Sequence, residues 1–212
     1  MDNLHLCKYY YNMGKSLDKC FGCEYCFIQN YRHENMMYPD DKLIPVGVNM
    51  FYGDPMLQVD TTVEILDGLE KRKHKGEVIV ITKGDFSLMP DRKFNLNLWY
   101  GFSTFGINHK MDGGTLERFE NSIAVAKSRG VKCFIKFAPV LEGINDTDEA
   151  IDNVAKHKIP VSYMGMDIKD PPLGFKKKIK PKCNSYRRTE TLMRRENGYS
   201  KDGCKRVRGS WI

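Results

Sequence analysis

Short apolar runs rich in valine and isoleucine alternate with amphipathic stretches through the middle of this chain, and that alternation limits its fold more than any other feature. "LIPVGVNMF" (Leu43 to Phe51), "GEVIVIT" (Gly76 to Thr82), "LNLWYGFST" (Leu96 to Thr104), "VKCFIKFAPVL" (Val131 to Leu141) and "VSYMGMDI" (Val161 to Ile168) have the length and composition of buried strands. An aromatic strand near "LHLCKYYYN" precedes them. Helical spacing fills the gaps. "TTVEILDGLEKRKHK" sets Val63, Ile65, Leu66 and Leu69 at helical intervals and ends in lysines, which suit the negative end of a helix. In "GGTLERFENSIAVAKSRG", Thr115 is an N-cap, Phe119, Ile123 and Ala126 share a face, and Gly130 is a stop. Thr147 caps a further helix in "TDEAIDNVAKHK". About six strand–helix units of this kind imply an α/β protein with right-handed crossovers and a mostly parallel sheet. Periodicity is compatible with an open doubly wound sheet and with a partial barrel.

Either architecture gathers ligands at the C-terminal ends of its strands. Those ends are polar or glycine-containing in this sequence. Cys20 to Cys26 follow the first strand, "GDP" (Gly53 to Pro55) the second and "KGD" (Lys83 to Asp85) the third. "STFG" (Ser103 to Gly106) follows the fourth, "EGIND" (Glu142 to Asp146) the fifth and "DIKD" (Asp167 to Asp170) the sixth. One shared site is the expectation.

The cysteines indicate what that site holds. Of seven in the chain, Cys20, Cys23 and Cys26 are bunched in "CFGCEYCF". An odd total with three clustered is a poor disulfide framework, and in a reducing compartment clustered thiols serve metals, clusters or catalysis. A structural zinc takes four ligands and would recruit Cys7, His5, His33, Cys183 or Cys204. A bacterial ferredoxin run would place its next cysteine where Asn30 stands. The third option is a [4Fe–4S] cluster on three thiolates, with one iron free for chemistry.

On these residues the chain resembles the radical S-adenosylmethionine (SAM) enzymes, whose cluster loop follows the first strand and carries an aromatic directly before its last cysteine, as in "EYC". The family spacing has three residues between the first two cysteines; here there are two, Phe21 and Gly22, and Lys19 stands where the first cysteine would fall. "FYGDPML" is similar to the family's Gly-Gly-Glu segment. "ITKGD", "FSTF" and "APVLEGIND" resemble the branch containing spore photoproduct lyase. The resemblance implies a partial (β/α)6 barrel over residues 1–170, with a basic C-terminal extension over 171–212. It implies a [4Fe–4S] cluster on Cys20, Cys23 and Cys26 whose free iron binds SAM and whose electron cleaves SAM to a 5′-deoxyadenosyl radical. It further implies SAM contacts from Gly53, Asp54, Pro55, Ser103, Thr104, Leu141 and Gly143, and an external electron donor of flavodoxin or ferredoxin type. Within the family, a glycyl-radical activating enzyme acting on a protein partner is the alternative. Outside it, the alternative is a zinc-binding interaction or nucleic-acid-binding module. Cys133 is read either as an inert buried thiol or as a hydrogen donor to a substrate radical.

Charge separates the ends of the chain. The net charge is +7, yet from Lys176 onward 13 Lys or Arg face three Asp or Glu, giving +10 and leaving −3 for the preceding 175 residues. Such a tail fits nucleic acid or another acidic substrate, or it is a solvated extension. No apolar run approaches the roughly 20 residues that span a bilayer. The N-terminus lacks the plan of a signal peptide, so a cytoplasmic protein without membrane contact is expected.

Overall fold

The computed structural model describes residues 9–11, 20–24, 38–48, 53–141 and 143–165. Cys26, Asp167 to Asp170 and the basic extension 171–212 lie outside them. Six strands form one sheet: β1 (Tyr9–Tyr11), β2 (Val46–Val48), β3 (Glu77–Thr82), β4 (Asn97–Thr104), β5 (Cys133–Val140) and β6 (Val161–Gly165). Every neighbouring pair is parallel, and the spatial order is the order in sequence. The chain is therefore α/β with a parallel sheet. Because the order never reverses, the described sheet lacks the switch point at which doubly wound folds bind ligands.

Three helices join these strands: α1 (Val59–Lys71), α2 (Leu116–Ser128) and α3 (Asp148–Ala155). Their ends follow local chemistry. Thr115 Oγ1 accepts from Arg118 N at 3.2 Å and Thr147 Oγ1 from Ala150 N at 3.2 Å, as N-cap hydroxyls do. Gly130, two residues beyond α2, takes a left-handed φ of 62° that stops the helix. The link from β3 to β4 departs from the strand–helix alternation. It holds one short 3-10 turn, Phe86–Leu88, and no α-helix. Its sequence, "SLMPDRKFNLN", has Pro90 in its middle and no helical apolar stripe.

Strand alternation sorts the core into two faces. Val78, Val80, Tyr100, Phe102, Cys133, Ile135 and Phe137 pack with Leu66, Leu69, Phe119, Ile123, Ile151 and Val154 of the helices in one continuous core. Burying each large side chain of this kind stabilises the fold by about 1.5–3 kcal/mol. Ile79, Ile81, Gly101, Ser103 and Phe134 alternate with these residues and are buried as well. Burial on both faces explains why β3 and β5 are almost continuously apolar rather than alternating. Gly101 belongs to this second face because a Cβ there would stand 2.5 Å from the Phe134 ring.

Among the described residues, no helix is long and apolar enough to cross a membrane.

Candidate functional site

Buried polarity in this molecule has an address. Among the described residues, ten polar or charged ones are buried, and seven of them (Asp54, Thr82, Lys83, Ser103, Thr104, Asn145 and Asp146) end a strand or lie just beyond its C-terminal end. Buried polar groups cost free energy unless they are paired, so their pairing shows what the site is built to hold.

Asp54 opens the site on the β2 side. Gly53 before it adopts a φ of 147°, a conformation open to glycine. The Asp54 carboxylate caps the 3-10 turn Pro55–Leu57 by accepting from Met56 N at 2.8 Å. It also accepts the Thr82 hydroxyl and, at 2.8 Å, Lys83 N. Burial raises its pKa, and the bonds from Thr82, Lys83 and Met56 pull the other way. The segment expected to meet SAM is thus a rigid corner tying the β2 loop to the end of β3. Its carboxylate is engaged within the protein.

Lys83 carries the connection across the sheet. Its Nζ lies 2.7 Å from Asp112 Oδ1, with 6% and 3% of the two side chains exposed. Asp112 sits in the turn between β4 and α2, where its Oδ2 accepts from Phe105 N at 3.1 Å and its Oδ1 from Gly114 N at 3.4 Å. The Cys23 thiol donates to the same Oδ1 at 3.7 Å, while its sulfur accepts from Gly113 N at 3.3 Å. Further contacts hold the cysteine loop down. Glu24 N donates to Met111 O at 3.0 Å, and Arg118 lies 4.8 Å over the Phe21 ring. A Cβ on Gly113 would collide with the Phe21 carbonyl oxygen, so glycine is what lets the two loops meet.

Cys23 itself is 6% exposed and packs with Phe105, Met111 and Leu141 in a small apolar cluster separate from the main core. Leu141 belongs to the strand-five segment, so two of the expected site residues, far apart in sequence, are brought together. Gly143, at a φ of 74°, donates its N–H to Asp146 Oδ1 at 2.7 Å. Asn145 completes the β5 side. Its amide donates to Phe105 O at 3.0 Å and Pro139 O at 2.9 Å, and its carbonyl accepts from Leu141 N at 2.7 Å.

The remaining expected residues divide. Ser103 is buried on the sheet face that the helices do not cover, beside Lys136 in register. Thr104 points to the helix-covered side, and its Oγ1 accepts from Gly106 N at 3.0 Å. Cys133 does not join the site. It is the first residue of β5, roughly 20 Å along the strand from Val140 at strand rise. It is buried in the helix-side core, where burial pushes its thiol pKa up. A hydrogen donor at the strand ends would need the opposite end and the opposite face, so Cys133 is a core thiol.

Cys20 is half-buried. The third thiol of the motif, Cys26, lies outside the described residues. Among those described, no three His, Cys, Asp or Glu side chains are grouped so as to hold a metal ion. The donor set nevertheless suits iron–sulfur ligation. Cys23 offers a soft sulfur with a backbone N–H directed at it, apolar neighbours in Phe105, Met111 and Leu141, and the Asp112 carboxylate beside it, surroundings of the kind that tune such clusters.

Lys83 and Asn145 fall within the strand-end segments marked in the sequence, without roles of their own, and Asp112 and Gly113 fall outside them. "DGG" signals only a turn, and the Lys in "KGD" became meaningful once its partner 29 residues away was known. Compared with protein-family models, with curated proteins and with solved structures, the chain matches none.

Proposed function

We propose that this protein is a radical SAM enzyme built on a partial (β/α)6 barrel. The observation that carries the reading is the seat of Cys23: a thiol of a three-cysteine loop, buried beyond the C-terminal ends of a parallel sheet and packed on Leu141 and Phe105. Sequential strand order supports the barrel. With right-handed crossovers, an order that never reverses puts all helices on one face, and the sheet must curl to bury the other. Cys20, Cys23 and Cys26 would hold a [4Fe–4S] cluster. When bound, the cluster supplies the electron that cleaves SAM to the radical that abstracts a substrate hydrogen.

The chain's own residues then have distinct tasks. Gly53 and Pro55 present backbone to SAM, while Asp54 holds that corner rigid through Thr82 and Lys83. Ser103 is the better placed of the two hydroxyls, since Thr104 already binds Gly106 N on the helix side. Leu141 and Gly143 complete the pocket. An external flavodoxin- or ferredoxin-type donor delivers the electron. The +10 tail favours a phosphate-bearing or otherwise acidic substrate. Clustered thiols and an oxygen-sensitive cluster suit the reducing cytoplasm.

Anaerobic reconstitution followed by dithionite and SAM tests this reading. About four irons with sulfide per chain and formation of 5′-deoxyadenosine are the expected results. One zinc per chain with SAM left intact would overturn it in favour of a zinc module.

A further inference from the structure

The Cys23 sulfur lies in a charged microenvironment that the site's ligand set does not explain. Asp112 Oδ1 stands 3.7 Å from it, and Lys83 Nζ stands 2.7 Å behind that oxygen. Both charges are almost fully removed from water, at 3% and 6% exposure, so solvent screens them weakly. The Gly113 N–H is directed at the same sulfur from 3.3 Å. An apolar pair of similar volume would fill the space with less desolvation cost. The position beside the thiol is what sets this pair apart from the surface pairs of the molecule, such as Arg129 with Asp91, whose carboxylate is 82% exposed.

We propose that the Lys83–Asp112 pair sets the reduction potential of the iron–sulfur cluster held by Cys23, with Asp112 and Lys83 acting as positioning residues of opposite sign; this rests on the radical SAM reading. Reduction adds one electron from the external donor to the cluster, with no bond made or broken. The added negative charge is opposed by the Asp112 carboxylate, 3.7 Å from the sulfur. It is favoured by the Lys83 ammonium and by the Gly113 N–H. Asp112 also fixes the turn through Phe105 N and Gly114 N, so the field acts at a defined place.

Sign distinguishes this role from simple bracing. In anaerobic redox titrations without SAM, followed by electron paramagnetic resonance, Asp112→Asn is expected to raise the midpoint potential and Lys83→Met to lower it. The double variant should return toward the parent, and the charge-conserving Lys83→Arg and Asp112→Glu should stay near it. Loaded variants that all titrate with the parent, or that shift in one direction together, overturn the proposal. Variants that take up no cluster make the pair a loop anchor only, which overturns it too. A parent protein without iron overturns the radical SAM reading itself, an outcome distinct from a loaded parent whose potential ignores these two charges.

Discussion

Cys23 and Cys133 are both buried thiols, 6% and 8% exposed, but they sit at opposite ends of the sheet in opposite surroundings. Around Cys133 are Tyr100 and the apolar faces of the helices. Around Cys23 are a carboxylate, an ammonium behind it, a backbone N–H and the glycines of a tight turn. The difference extends to the sheet ends as a whole. One end carries seven of ten buried polar residues, cross-linked strand to strand, and the other packs mainly through apolar contact. Buried polar groups tolerate only one arrangement of partners, whereas apolar contacts tolerate several. The polar end is therefore where geometry is specified, and geometry is what a chemical site needs.

The strongest way to break this contrast is to exchange the two thiols' expected consequences. On the proposed radical SAM reading, Cys23→Ala should remove the cluster and reduce 5′-deoxyadenosine formation to background. Cys133→Ala should keep iron content and product formation while costing about 1 kcal/mol of stability, as small core truncations do. Equal loss of activity in both variants would erase the distinction between the ends.

Next in size is Asn145→Ala. It leaves the Phe105 and Pro139 carbonyls and the Leu141 N–H without their buried partner. A loss of about 2–4 kcal/mol follows, at about 1–3 kcal/mol for each orphaned group with partial relaxation. Denaturant unfolding reads this directly, and a loss below 0.5 kcal/mol, on the order of an ordinary surface change, would mean the strand ends are not cross-linked as described.

The smallest expected effect sharpens the comparison through pH. At the polar end, burial raises the Asp54 pKa, so the folded state holds that proton more tightly than the unfolded chain. Asp54 therefore contributes a stability that falls as pH rises above the ordinary carboxylate range near ~4. Just before β3, at the other end, burial lowers the His74 pKa, with the hydrogen bond to the Ile44 backbone and the charge of Asp41 opposing. Its contribution is lost as pH falls below the ordinary imidazole value near ~6.5. Melting temperatures across this range should show Asp54→Asn gaining on the parent as pH rises and His74→Gln gaining as pH falls. Differences that run in the same direction would contradict the burial assigned to one of the two.

How much of this was legible depended on distance along the chain. Strands β2 to β6 and the three described helices sit where apolar spacing placed them, and Thr115, Thr147 and Gly130 perform the capping and stopping roles their chemistry suggests. These are local properties, decided within a few residues. The glycine and polar clusters after the strands marked the site end of the sheet for the same reason. The direction of the Cys133 side chain was not legible, because a one-residue change in where β5 begins to pair reverses which face it takes. The helix-free link between β3 and β4 was legible in Pro90 and the lack of an apolar stripe, although the count of about six strand–helix units passed over it.

By itself, then, the sequence determined the alternation of elements, the caps that end them, and the three thiols with their polar companions at the strand ends. Tertiary structure alone decided that Asp54 is spent on Thr82 and Lys83, that Lys83 reaches Asp112, and that Asp112 stands beside a sulfur 89 residues away. The physical reason is burial. Side chains of ordinary polarity acquire a specific role only when the fold removes their water and leaves each with a few partners contributed by other strands.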